Sequence, residues 1–118
     1  MRTPLVNYLR AQRKRAGLSQ KEVAFLLGYS QQDAISKHEA FESVPPLIMA
    51  LGYQAIFRVP LSELFAGLRE AVELSIEKQL EEYERGLLTK AQKSRHGGPS
   101  QALLHKLEWV KAHRTSSQ

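Results

Sequence analysis

Ten residues, SQKEVAFLLG from Ser19 to Gly28, restrict this chain more than any other stretch. Ser19 and Glu22 have the S-x-x-E spacing of a capping box. In that motif the hydroxyl and the carboxylate each accept from an otherwise unpaired backbone N–H at a helix start. The helix that opens there carries Val23, Phe25, Leu26 and Leu27. Gly28 stops it, because glycine enters the left-handed region without a Cβ clash. Ser30-Gln31-Gln32-Asp33 then opens another short helix, running to about His38 or Ala40. Two short helices on a tight glycine turn must cross closely, which makes a helix-turn-helix candidate. With Gln20 as the first position, the crossing demands a small residue at the fifth, which is Ala24, and a turn former at the ninth, which is Gly28. The fourth, eighth and tenth positions are apolar: Val23, Leu27 and Tyr29.

The rest of the chain also reads as helix, and no segment alternates like a strand between hairpin turns. Thr3-Pro4 has the form of an N-cap followed by proline at the first helical position. Leu5, Tyr8, Leu9 and Gln12 continue that face to a stop at Ala16-Gly17. Pro45-Pro46 opens a fourth helix, Leu47 to Phe57, with Gly52 as a weak spot inside it. Val59-Pro60 breaks it before a fifth, Leu61 to Phe65. From Leu68 the texture changes. Leu68, Val72, Ile76, Leu80, Tyr83 and Leu87 recur every three or four residues among Glu, Lys and Arg. This is a long amphipathic helix with a narrow apolar stripe. Gly97-Gly98-Pro99 interrupts it, and Ser100 caps a final helix from Gln101 to about His113. Leu103, Leu104, Leu107 and Val110 are its apolar residues, Trp109 is expected as a packing anchor, and Thr115 to Gln118 as a frayed tail. The expected class is all-α: five helices within 1–66, then a helical extension, 67–118.

Charge gives the first functional clue. Seventeen Lys and Arg oppose twelve Asp and Glu, for a net +5. Arg2, Arg10, Arg13, Lys14 and Arg15 fall within the first fifteen residues, where no acid occurs, whereas 68–95 holds six of each sign. A polyanion would meet the first region. The chain has no cysteine, so disulfides and thiolate metal sites are excluded. His38, His96, His105 and His113 lack metal-ligand spacing, so no metal or cofactor is expected. No phosphate loop, nucleophile triad or catalytic carboxylate pair suggests an enzyme; Glu77, Glu81, Glu82 and Glu84 form a solvated helical face. The absence of an apolar leader, and of any apolar run approaching about 18 residues, suggests a cytoplasmic chain with no membrane partner.

On LRAQRKRAGLSQKEVAFLLGYSQQDAISKHE, followed by PPLIMAL and VPLSELF, the chain resembles the Cro/phage-repressor (XRE-type) helix-turn-helix family. The resemblance covers about residues 5–66. It implies a five-helix fold that binds double-stranded DNA, mostly as a dimer at operator sites. There is one departure. The apolar residue that the family commonly places six positions after the turn glycine is Ile35, at seven, and the closing glutamate, Glu39, stands at eleven. An extra residue at the start of the third helix accounts for this, with Ile35 and His38 in the core slots. The other frame puts Ala34 and Lys37 there and buries a lysine, which is costly.

A recognition helix reads base edges from the exposed face near its N-terminus. Gln31, Gln32, Ser36 and Lys37 are the candidates, since Gln bonds adenine in bidentate fashion and Lys donates to guanine. Asp33 reads as a capping residue. Gln20 is expected to donate to a phosphate, and Arg10, Lys14 and Lys21 to add phosphate contacts. The resemblance further implies that Arg13 pairs with Glu39 to lock the recognition helix. The stripe Leu68, Val72, Ile76, Leu80, Tyr83 and Leu87 is assigned to homodimerisation, with the last helix folding back. The functional expectation is a sequence-specific transcriptional regulator, a dimeric repressor. The alternative is an antitoxin or adapter whose C-terminal helices hold a protein partner, with DNA binding secondary.

Overall fold

The computed structural model describes residues 4–94 and 97–116. Among these there are seven helices and no strand: α1 (Leu9–Ala16), α2 (Gln20–Leu26), α3 (Asp33–Glu39), α4 (Leu47–Phe57), α5 (Leu61–Leu64), α6 (Ala66–Lys93) and α7 (Gln101–Ser116). The protein is all-α. Its contacts fall into two compact units, 1–71 and 72–118. The boundary lies inside α6 rather than at residue 66, because Leu68 still packs on the first core.

The first unit closes around Leu9, Val23, Ala24, Ile35, Met49, Tyr53, Leu64 and Phe65. The Ser19 hydroxyl accepts from the Glu22 N–H at 3.0 Å, and a Glu22 carboxylate oxygen accepts from the Ser19 N–H at 2.8 Å. The capping box is therefore formed. Gly28 takes φ +87°, which lets the Tyr29 N–H turn back to the Ala24 carbonyl at 2.8 Å. With only seven residues, α2 buries a single edge, Val23 and Ala24. Phe25 and Leu26 point away and are 78 % and 54 % exposed, and Tyr29 is also exposed. At the start of α4, Leu47, Ile48 and Leu51 are exposed as well.

The N-terminal reading needs correction. The helix begins at Leu9, not after Pro4, and Thr3 lies outside the described residues. The cause is Asn7, which is buried and polar and must be satisfied on both sides. Its Oδ1 accepts from the Leu9 N–H at 3.1 Å, and its Nδ2 donates to the His38 carbonyl at 2.9 Å. Residues 4–8 become a strap held by its main chain. The Tyr8 N–H donates to the Leu64 carbonyl and the Leu5 carbonyl accepts from the Gly67 N–H, both at 2.8 Å. Gly67 is required here, since a Cβ would lie 2.3 Å from the Leu5 oxygen. Leu5, expected in the apolar face, is exposed.

In the second unit α7 folds back on the later part of α6. Leu87, Leu107 and Val110 form a small core, with Leu80, Ala91 and Leu103 against it. The Ser100 hydroxyl accepts from the Leu103 N–H at 3.2 Å, so this cap is also formed. Arg114 pairs with Glu84, and with Glu81 at 3.6 Å. Two expectations change. Trp109 is half exposed and stacks on His113 instead of anchoring the core, and Leu104 is exposed. The helix also runs to Ser116, beyond the expected end at His113.

Candidate functional site

Ile35 and His38 are buried while Lys37 is exposed, so α3 follows the frame with the extra residue. This burial fixes which side chains reach solvent. Gln31, Gln32, Asp33, Ser36 and Lys37 are all exposed. Gln32 occupies the N-cap position, but its side chain makes no capping bond, and neither does that of Asp33, one residue later. Arg10, Lys14 and Lys21 are exposed on α1 and α2. The first unit therefore carries exposed cations on two helices, exposed amides at the entry to a third, and an exposed hydroxyl and ammonium on that third helix.

A polar knot holds these three helices. Arg13 Nε donates to Glu39 Oε2 at 2.6 Å and Arg13 Nη2 to Glu39 Oε1 at 3.1 Å. The two side chains are only 13 % and 5 % exposed. Such a bidentate pair fixes geometry as well as charge. The bonds from Glu39 hold the Arg13 guanidinium above its ordinary pKa, although burial opposes them. Arg13 Nη1 also donates to the Leu18 carbonyl at 3.0 Å. Gln20 completes the knot: its Nε2 donates to Glu39 Oε1 at 3.0 Å. Its side chain thus ties α2 to α3 where a free phosphate donor was expected. The reason is proximity, since α2 packs on α3 and the start of α2 lies beside the end of α3.

Behind the exposed face lies a second buried polar pair. His38 Nδ1 and the Tyr53 hydroxyl are hydrogen-bonded at 2.8 Å, with their rings edge-on at 5.8 Å. Burial pushes the His38 pKa down. It pushes that of Tyr53 far up, helped by the nearby Glu39 charge and by Tyr29. This link, and the Asn7 bond to the His38 carbonyl, were not foreseen from sequence. A histidine in a core slot was the available signal, because a buried imidazole needs a polar partner.

The expected dimer stripe divides. Leu68 packs on the first core, and Leu80 and Leu87 pack within the second, so these three are consumed inside the chain. Val72, Ile76 and Tyr83 are exposed. The stripe is split because α7 returns along one edge of α6.

Among the described residues, no group of His, Asp and Glu could hold a metal ion, and no helix is long and apolar enough to cross a membrane. Comparison with known protein families, curated proteins and solved structures finds no match to this chain.

Proposed function

We propose that this chain is a sequence-specific DNA-binding transcriptional regulator of the Cro/phage-repressor kind. In this reading α1 to α5 form a five-helix domain, and α2 and α3 are its helix-turn-helix. The observation that carries it is the exposure of Gln31 and Gln32 at the entry to α3 and of Ser36 and Lys37 on it, with this short helix locked from behind by Arg13, Gln20 and Glu39. A helix that reads base edges needs this combination of polar, uncapped side chains and a rigid mount. In the major groove, Gln32 would bond adenine and Lys37 would donate to guanine. Arg10, Lys14 and Lys21 would position the domain on phosphates without reading sequence.

The test is selection of bound fragments from genomic and random DNA, followed by mobility-shift titration of the winners. Enrichment of one motif, bound far more tightly than bulk DNA, supports the reading. No shift with any fragment at low salt defeats it.

A further inference from the structure

The second unit has a basic segment of its own. Between Glu84 and Glu108 there is no acid, and the stretch holds Arg85, Lys90, Lys93, Arg95 and Lys106, as many cations as the first fifteen residues. The packing of the hairpin places three of these lysines. Leu80, Leu87 and Ala91 of α6 pack with Leu103, Leu107 and Val110 of α7, and Glu84 meets Arg114, so the two helices run antiparallel. At about 100° per residue, Lys90 and Lys93 stand on one flank of α6. Lys106 and Trp109 stand on the flank of α7 that has the same hand about its packing row, and in an antiparallel pair such flanks lie side by side. All four are exposed, and among the described residues none of the three lysines is ion-paired.

Trp109 is the single tryptophan of the chain and is 52 % exposed. Its ring stacks on that of His113, 5.1 Å between centroids and 19° between planes. The core of the hairpin does not use it. Lys90 and Lys93 suit the C-terminal end of α6 by charge alone, but no structural task accounts for Lys106 or Trp109. Phosphates answer the lysines, and one more flat ring extends the stack of Trp109 on His113. Single-stranded nucleic acid supplies both in one molecule, because its base faces are open, whereas a duplex keeps them covered. A bilayer would need a broad aliphatic face around the tryptophan. The residues three and four positions from Trp109 along α7 are instead His105, Lys106, Ala112 and His113.

We propose that this flank of the α6–α7 hairpin binds single-stranded nucleic acid, with a base stacked on Trp109 and phosphates held by Lys90, Lys93 and Lys106. The site lies wholly within the second unit and does not depend on whether α3 reads duplex DNA.

The test titrates the full chain with a short oligothymidylate and with inorganic polyphosphate, which has the charge but no base. With one tryptophan in the chain, intrinsic fluorescence reads the site directly. Oligothymidylate should quench it and polyphosphate should not. Anisotropy of a labelled oligothymidylate then compares variants. Trp109→Ala should weaken binding roughly tenfold, and Trp109→Phe, which keeps a ring, should restore most of it. That rescue separates lost stacking from lost folding. Lys90→Gln combined with Lys106→Gln should lower the slope of log affinity against log salt by about 1.4, at about 0.7 for each single-strand phosphate. Absence of quenching, a Trp109→Ala chain that binds like the wild type, or equal affinity for polyphosphate would each overturn the proposal. A blue shift on phosphatidylserine vesicles without quenching by oligothymidylate would give this face to a lipid surface instead.

Discussion

Glu39 accepts hydrogen bonds from Arg13 and Gln20 in a place where water is nearly excluded. Removing one partner from such a pair strands the other charge, which costs far more than losing a surface ion pair. Glu39→Gln should therefore lower unfolding stability by about 3 kcal/mol, read from the denaturant midpoint of the first unit. His38 makes a complementary prediction about pH. Burial holds its pKa below the ordinary value, so the folded state prefers the neutral ring and the unfolded chain takes up the proton first. Its contribution is complete above about pH 6.5 and is lost as pH falls through the window beneath. Melts at about pH 7.5 and about pH 5.5 should differ by an amount that His38→Gln reduces, because that variant has no proton to gain there. Both residues were visible in the sequence as core-slot or pairing candidates. The Tyr53 hydroxyl and the Gln20 amide were not, because no local pattern marks either as the partner of a buried group.

At the scale of elements, α3 and α1 have different tasks in the proposed function, and substitution separates them. Lys37→Ala and Gln32→Ala remove groups assigned to base edges. Each should cost about 1–3 kcal/mol at the preferred site and relax choice at one base position. Lys14→Ala removes only an assigned phosphate contact, so it should weaken binding to all sequences alike and lower the salt slope by about one unit per copy bound. Competition titrations with single-base variants of the selected site measure both effects. The strap of residues 4–8 offers a test that involves no DNA. Gly67→Ala drives a methyl into the Leu5 carbonyl, which is backbone and yields little. It should destabilise the first unit by about 1–3 kcal/mol, as overpacking does. Hydrogen exchange should speed up at the Tyr8 and Gly67 amides, whose bonds fasten the strap. The helix boundaries themselves were largely legible where a local signal exists: the Ser19 capping box, the Gly28 turn, the Ser100 cap. The start of α1 was misread because Thr3-Pro4 is a sound local signal that a distant contact, Asn7 with His38, overrides.

For the whole molecule, the uneven charge sets the expected dependence on salt. The first fifteen residues carry five cations and no anion, while half of the twelve acids lie between Glu70 and Glu84. If a dimer neutralises about six phosphates, affinity should fall roughly a thousandfold between 50 and 200 mM salt. Mobility shifts on the selected fragment at a series of salt concentrations give the slope directly. A flat response would remove the phosphate contacts assigned to Arg10, Lys14 and Lys21.

Sequence alone determined the helical class, the two short helices around Gly28 and the amphipathic run after Leu68. These rest on caps, turns and periodicities that act over a few residues and need no knowledge of the fold. The burial frame of α3 was also within its reach, since the alternative would bury Lys37, and the core indeed takes Ile35 and His38. Tertiary structure decided the rest. The periodicity of α6 places its apolar residues on one side but does not say what covers each. Only the return of α7 shows that Leu80 and Leu87 are spent inside the chain and that Val72, Ile76 and Tyr83 are not. In the same way a glutamine at a helix start is polar wherever it stands. It becomes a brace for α3 only because the packing of α2 on α3 carries it to Glu39.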